Sequence, residues 1–186
     1  MAWEEYFKRT SKWRPRPLLL EALPYVKGKN VLDLGSGSLN DAHYLAENGF
    51  VVTAVDSNPK ILEHVQADKL ISICITPFSG FCFEDNSYDL VNAQYALPFE
   101  SPEQFEATFC KVVKSLKTGG IFAGQLFGIE DGWATNSKMT FHTQKQIETF
   151  TSLFSKVHVL REEKKIGPTV LGTDKMWHVY HIIAEK

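Results

Sequence analysis

Two carboxylates flank a glycine-rich turn in the first third of the chain, in the order Asp33-Leu34-Gly35-Ser36-Gly37 and then Asp56. Glycines let the backbone turn sharply and approach a ligand closely, because they carry no Cβ atom. A helix that starts after such a turn points its free N–H groups at the same place, which favours an anion there. A carboxylate at the end of the following strand can accept hydrogen bonds from ribose hydroxyls. These residue types therefore favour an adenosine-type cofactor.

The elements that must position this turn form one strand-turn-helix-strand unit. Residues 31–34 and 50–55 are short apolar runs, which are typical of buried strands. Residues 40–49 lie between them, begin with a residue that caps helices and end with glycine. The alternative is an ordinary turn of this kind with Asp56 at the surface. A dinucleotide fingerprint is not met, because its third glycine would fall at the position of Asn40.

The acid two residues before the first glycine resembles motif I of the class I S-adenosylmethionine (SAM)-dependent methyltransferases. One departure is Leu39, which stands where that family usually has a third glycine. The resemblance implies SAM as the cofactor, with Gly35 and Gly37 beside its amino acid part and Asp56 on its ribose. The predicted cofactor-binding residues are Asp33, Gly35, Ser36, Gly37, Asp56, Ser57, Thr76, Phe78, Asn92 and Arg16.

The segment after Asp56 predicts a helix and a third strand. The helix is expected to begin at Pro59, with Ile61, Leu62 and Val65 as its buried stripe. The strand, residues 70–75, leads to the place where the resembled family commonly holds adenine, often with an acid. This chain has no acid there, so the candidates are the hydroxyl of Thr76 and the ring face of Phe78.

Residues that meet the methyl acceptor are expected after the fourth and fifth strands. Gln94 and Tyr95 follow the fourth strand, and the carboxyl edge of an open α/β sheet lines the ligand crevice. Residues 128–142 make a long loop after the fifth strand, and long loops at this edge tend to be functional. The predicted catalytic residues are Gln94, Tyr95 and His142, and the loop also offers Glu130, Asp131 and Trp133. Each loop residue has an alternative as a solvated acid, a hydrophobic lid or a helix-flanking imidazole.

The N-terminal segment, residues 1–27, alternates aromatic side chains with arginines and lysines. Pro15 and Pro17 should break it into two short helical pieces. One interpretation is that its aromatic side chains pack on the sheet. The other is a helical cap over the cofactor site, as the resemblance implies, in which Arg14 or Arg16 meets a carboxylate.

The order of the predicted strands and helices indicates an α/β fold. Strand-like runs alternate with helical patterns as far as residue 127, and capping boxes at Ser101/Gln104 and Thr143/Gln146 mark two of the helices. Residues 157–160 and 177–184 are strand-like runs joined by a polar stretch too irregular for a crossover helix, so they should pair antiparallel or lie apart. With the resemblance, this predicts a single domain over residues 1–186. Its fold would be a Rossmann-like, doubly wound, mostly parallel seven-stranded sheet with a C-terminal antiparallel β-hairpin.

Charge and cysteine content restrict the expected partners. The formal net charge of −2 gives no electrostatic reason to expect nucleic acid or an anionic membrane as the main partner. The sequence shows no apolar run of membrane-spanning length and no signal-peptide pattern, which predicts a cytoplasmic protein. The three cysteines lack a C-x-x-C pair, and neither they nor the six histidines predict a metal site. We expect a monomer or a homodimer.

These features predict a SAM-dependent methyltransferase that acts on a small molecule. A methyl group on a sulfonium is already activated, so its transfer needs mainly alignment and desolvation. This agrees with a sequence in which no Ser-His-Asp or Cys-His pattern stands out. A short chain with no evident substrate domain or basic patch favours a small acceptor. The alternatives are a nicotinamide-dependent oxidoreductase and a non-catalytic SAM- or nucleotide-binding module.

Overall fold

The computed structural model describes residues 3–65 and 68–186, which form a central sheet with helices on both faces. The continuous apolar runs of the sequence become its buried strands. The strands are β1 Asn30–Leu34, β2 Val51–Asp56, β3 Ile71–Ile75, β4 Tyr88–Ala93, β5 Leu116–Gly128, β6 Phe141–His142, β7 Lys156–Pro168 and β8 Asp174–Glu185. The helices are α1 Trp3–Thr10, α2 Pro17–Ala22, α3 Asn40–Glu47, α4 Pro102–Ser115 and α5 Gln144–Thr151.

Seven strands lie in the order β3-β2-β1-β4-β5-β8-β7, and the two-residue β6 pairs with the end of β5. The first five are parallel, whereas β8 runs antiparallel to both β5 and β7. The chain reverses its winding direction between β1 and β4, and open α/β sheets bind ligands outside the carboxyl ends of strands at such a point. The predicted Rossmann-like fold with a terminal antiparallel hairpin is therefore confirmed.

Each face of the sheet carries its own apolar core. One core packs Phe105, Phe109 and Val112 of α4 on the sheet. The other includes Leu45 of α3 and Leu19 of α2. These side chains recur at helical spacing, so each helix buries one stripe and leaves the opposite face polar. The rigid sheet that results holds the loops at its carboxyl edge.

Helix starts agree with the sequence at some positions and differ at others. The capping box of Thr143 and Gln146 forms at the start of α5. The N-terminal segment forms two short helices as predicted, and the second begins at Pro17. Within the described residues, the Ser101 side chain makes no capping hydrogen bond at α4. Asn40 is the first helical residue of α3 and not its cap, because the cap position falls on Leu39.

The predicted helix after Asp56 is a 3-10 helix, Pro59–His64. The Asn58 side chain accepts a hydrogen bond from the Lys60 backbone and starts it. Its tighter winding buries Ile61 but leaves Leu62 56% exposed and Val65, just beyond the helix, 45% exposed, so the expected three-residue stripe is wrong.

Candidate active site

A cavity of about 840 Å³ opens at the carboxyl ends of β1, β2, β4 and β5. α1 and the turn between β7 and β8 enclose it from the other side. Aromatic side chains from all of these parts line it together with the glycine turn. Representative lining residues are Tyr6, Gly35, Asp56, Tyr95, Phe127 and Trp177. Its size suits a nucleotide-sized cofactor with a small second ligand.

The glycine turn follows β1 directly and forms the floor of the cavity. Gly35 and Gly37 both have positive φ angles, 70° and 51°, in the left-handed region that favours glycine. A Cβ atom on Gly35 would lie 2.5 Å from the Cβ of Ala96, so no side chain fits there. The Ser36 hydroxyl donates to the Asp33 carbonyl oxygen at 2.7 Å and closes the turn. The turn thus presents bare backbone to the cavity.

Asp56 ends β2 and faces the same cavity. One of its carboxylate oxygens accepts a hydrogen bond from the Gly37 N–H at 2.9 Å, and the other accepts from the Asn58 N–H at 2.8 Å. These two bonds join the loop after β1 to the loop after β2. They also fix the direction of the carboxylate, and each oxygen keeps lone-pair capacity for a ligand hydroxyl.

Asp33 and Asp41 form a buried acidic pair beneath the glycine turn. The Asn92 amide bridges them, donating to Asp33 at 2.7 Å and to Asp41 at 3.1 Å. Burial and the Asp41 carboxylate beside it raise the pKa of Asp33 to about 7. Burial also raises the pKa of Asp41, although the Arg16 backbone N–H that donates to it opposes this effect. Oδ2 of Asp33 has no hydrogen-bond partner among the described residues.

A chain of amides leads from this acidic pair to the other end of the cavity. Gln94 donates to Asn92 at 2.7 Å, and Gln125 donates to Gln94 at 3.0 Å. The carbonyl oxygen of the Gln125 side chain accepts from the Tyr95 backbone N–H at 2.9 Å. Tyr95 has a φ of 56°, so this bond holds a residue in a conformation that side chains disfavour. The amide chain fixes where the Tyr95 ring enters the cavity.

Known proteins are similar to this chain in sequence and in fold. A family model described as a methyltransferase domain matches residues 31–120. A phosphoethanolamine N-methyltransferase of Triticum aestivum is 31% identical over 174 residues, which are 89% of this chain and 34% of that protein. An uncharacterized methyltransferase of Synechocystis sp. is 33% identical over 107 residues, which are 57% of this chain and 50% of that protein. The chain spans half or less of the length of these curated relatives.

A solved SAM-dependent methyltransferase from Methanosarcina mazei superposes with a TM-score of 0.71 at 19% identity. The match covers 94% of this chain and 99% of that one, and it is a likeness of fold. Together, these matches support a place for the chain in the class I SAM-dependent methyltransferase family. In this chain, Leu39 fills the position where the family usually has its third motif glycine, and its φ is 60°.

The structure brings most of the sequence-predicted residues to this cavity. Those that line it, or the small polar pocket beside the glycine turn, are Arg16, Asp33, Gly35, Ser36, Gly37, Asp56, Ser57, Phe78, Gln94, Tyr95 and Trp133. The Arg16 guanidinium lies 4.9 Å from the centre of the Trp13 ring and 5.4 Å from that of Tyr95. Arg16 thus stands between the two ends of the cavity.

Three predicted residues lie elsewhere. In the part of the chain that the structure describes, Thr76, Asn92 and His142 are not among the lining residues. The Thr76 hydroxyl donates to the Pro77 carbonyl oxygen, and Asn92 is fully buried in the amide chain. His142 packs between Phe105 and Phe150, with ring centres 4.4 and 5.1 Å away. Asn92 and His142 are too deeply buried, at 0% and 2% exposure, to meet a ligand without rearrangement.

The two acids of the loop after β5 also point away from the cavity. Glu130 pairs with Lys164 at 2.6 Å, and Asp131 is buried against the Lys175 ammonium.

Sequence reasoning missed the contribution of the terminal hairpin. Glu163 and Lys165 of β7 and Trp177 and Val179 of β8 line the cavity. Each pair is spaced by two residues, which places both members on one face of a strand. This two-residue spacing could be read from the sequence, and it indicated which side chains share a face of each strand. The hairpin and the loop after β5 therefore supply the wall opposite the glycine turn.

Proposed function

We propose that the protein transfers a methyl group from SAM to a small molecule bound in the same cavity. The observation that carries the proposal is the bare glycine turn with the Asp56 carboxylate fixed on the rim of the cavity beside it. A nucleoside needs close backbone approach on one side and a hydrogen-bond acceptor for its ribose hydroxyls on the other. Gly35, Gly37 and Asp56 offer both.

The polar groups beneath the turn fit the amino acid end of SAM. Oδ2 of Asp33 is buried and lacks a partner among the described residues, so an ammonium group would satisfy it. Arg16 lines the same small pocket and would meet a carboxylate. Phe78, which lines the cavity near Gly35, would cover the adenine.

The residues of this chain would align the reactants and exclude water. When bound, SAM would supply an activated methyl group on a cationic sulfur, and the sulfur would leave as the thioether of S-adenosylhomocysteine. Gln94 and Tyr95 would border the transferring methyl, because they lie between the glycine turn and the hairpin wall. The many aromatic rings would keep the site dry, which favours attack on a charged sulfonium.

Residues 1–27 would serve as a cap over the cofactor, of which the structure describes residues 3–27. Trp3, Tyr6 and Phe7 of α1 and Arg16 line the cavity. A cavity enclosed in this way admits a small acceptor more readily than a nucleic acid. No helix in the described chain is both long and apolar enough to cross a membrane. The cytoplasmic location and the monomeric or dimeric state stay predictions.

Calorimetric titration with SAM and with its product S-adenosylhomocysteine tests the proposal. Asp56→Ala should weaken binding of both by about 1–3 kcal/mol, the scale of a lost charged hydrogen bond. Asp85→Ala, an exposed acid remote from the cavity, is the matched control and should bind as wild type does. Equal affinities of wild type and Asp56→Ala would remove Asp56 from the site. Binding of NADH in place of SAM would favour the oxidoreductase.

A further inference from the structure

Four aromatic rings form a continuous wall at the end of the cavity away from the glycine turn. This aromatic wall consists of Tyr95, Phe127, Trp133 and Trp177, all of which line the cavity. The centres of Trp133 and Trp177 are 5.6 Å apart, and those of Tyr95 and Trp177 are 6.1 Å apart. Phe127 lies 6.0 Å from Trp177 and 6.2 Å from Trp133. These separations are typical of rings in edge contact, so the wall is preassembled.

A buried ammonium group already occupies the cation-binding faces of this wall. The Nζ of Lys175 lies 3.9 Å from the centre of the Trp177 ring, 4.0 Å from that of Trp133 and 4.9 Å from that of Phe127. Three rings around one ammonium is the arrangement that recognises alkylammonium ligands. The Asp131 carboxylate pairs with the Lys175 ammonium and neutralises its charge. A hydrogen bond from the His178 backbone N–H, at 3.1 Å, holds the carboxylate in place. The chain thus fills its own aromatic cage.

The charged side chains at this end of the cavity are also paired within the protein. Lys165 lies 2.5 Å from Glu163, which in turn contacts His181. Glu100 accepts from the Ser101 backbone and from the Thr108 hydroxyl. A phosphate group binds where several unpaired cations converge. Among the described residues that line the cavity itself, Arg16 is the one cation without a carboxylate within ion-pair distance, and the proposed function assigns its guanidinium to the carboxylate of SAM.

We propose that the methyl acceptor is a neutral, planar aromatic or heteroaromatic molecule that packs against the aromatic wall. This inference rests on the proposed function. An oxygen, nitrogen or sulfur atom of the acceptor would form a bond to the methyl carbon. The carbon–sulfur bond of SAM would break with its electron pair left on sulfur, and the acceptor atom would give up its proton to bulk solvent at the mouth of the cavity. The Triticum aestivum relative is named for phosphoethanolamine, which carries a phosphate and an ammonium group. Such a molecule fits this wall poorly, because Lys175 and Lys165 are already paired with Asp131 and Glu163.

Binding of matched probes to the protein saturated with S-adenosylhomocysteine tests the acceptor class. The probes are naphthol, naphthyl phosphate, choline and phosphoethanolamine, which vary the charge with and without a ring. Naphthol should bind about tenfold or more tightly than each of the other three, because it alone offers an uncharged ring to a wall whose ammonium, Lys175, is already paired with Asp131. Tighter binding of choline, of phosphoethanolamine or of naphthyl phosphate would overturn the proposal.

Removal of one ring from the wall locates the binding site. Trp177→Leu and Trp133→Leu should each weaken naphthol binding about tenfold and change the affinity for S-adenosylhomocysteine less than about twofold. The control is Tyr25→Leu, which removes a ring stacked on His158 and outside the cavity. Unchanged naphthol affinity in both tryptophan variants would refute the assigned wall. Failure of wild type to bind S-adenosylhomocysteine would instead overturn the proposed function, and this inference with it.

Discussion

Leu39 shows how one residue replaces a motif glycine without loss of the turn. Its φ of 60° lies in the left-handed region, which costs a side-chain-bearing residue about 1–2 kcal/mol. The side chain is fully buried in the core of the face that also holds Leu45. Burial of a leucine side chain contributes about 1.5–3 kcal/mol, so it offsets the backbone strain. The family's usual glycine would avoid the strain but leave that core unfilled.

His142 is a buried imidazole that opposes folding in acid. Both of its ring nitrogens lack partners among the described residues, and burial lowers its pKa to about 4. In the unfolded chain its pKa is near 6.5, so between these values the unfolded state binds a proton that the folded state does not. The free energy of unfolding should therefore fall as the pH falls from about 6.5 toward about 4, by up to about 3 kcal/mol from this residue.

His142→Phe should remove this acid sensitivity and keep the packing against Phe105 and Phe150. Urea unfolding of wild type and variant across pH 8 to 4 measures it. The variant should gain stability relative to wild type as the pH falls below about 6.5. A difference in unfolding free energy that stays constant with pH would show that His142 is protonated equally in both states.

At the scale of elements, the site depends on the junction between β4 and β5. Gln125 of β5 holds the two residues that follow β4. Its side-chain oxygen accepts from the Tyr95 backbone N–H, and its side-chain N–H donates to the side-chain oxygen of Gln94. Gln125→Leu should leave the Tyr95 backbone N–H and the Gln94 side-chain oxygen without these hydrogen bonds. The free energy of unfolding should therefore fall by about 1–3 kcal/mol. The Tyr95 amide should also exchange its hydrogen faster with solvent.

Gln125→Glu is the matched variant for this prediction. Its carboxylate can still accept from the Tyr95 N–H but cannot donate to Gln94, so Tyr95 should stay more protected than in Gln125→Leu. Hydrogen exchange followed by NMR measures the two variants side by side. Equal protection of Tyr95 in wild type and Gln125→Leu would show that the strand end is held by other contacts.

The same elements show which features a sequence can predict. The glycine turn and Asp56 were predictable because their spacing along the chain is short and the strands that hold them are continuous apolar runs. The hairpin wall needed more than its spacing. The two-residue spacing places each pair on one face of a strand, but which face meets the cavity depends on pairing across the sheet. The polar stretch after residue 160 extends both strands, so that Lys165 lies opposite Trp177. Cross-strand side-chain contacts, Glu162 with His178 and Glu163 with His181, stabilise such an extension, and local hydrophobicity does not report them.

His142 was misplaced for a related reason. The sequence puts it at the end of a long loop, yet β6 pairs with β5 and draws it into the aromatic core. The burial of His142 results from the pairing of β6 with β5, which the residues next to it in the sequence do not specify.

At the scale of the whole molecule, the cavity is closed by two segments from opposite ends of the chain. The Arg9 guanidinium of α1 donates to the Val170 carbonyl oxygen, in the turn between β7 and β8, at 3.2 Å. Both segments supply lining residues, Trp3 and Tyr6 on one side and Leu171 on the other. A cofactor bound beneath these segments would have two exit routes. It could leave after the two segments separate, or through the part of the cavity mouth that they do not cover.

Arg9→Met should loosen this contact and speed the release of S-adenosylhomocysteine a few-fold, with less than about 1 kcal/mol lost in stability, because the bond is exposed. Stopped-flow fluorescence of the cavity tryptophans measures the release rate. Arg161→Met is the matched control, since Arg161 joins β7 to Glu21 of α2 at 3.1 Å outside the cavity. Equal acceleration in both variants would trace the effect to general loosening. An unchanged rate in Arg9→Met would mean that the cofactor leaves by a path that does not require these two segments to part.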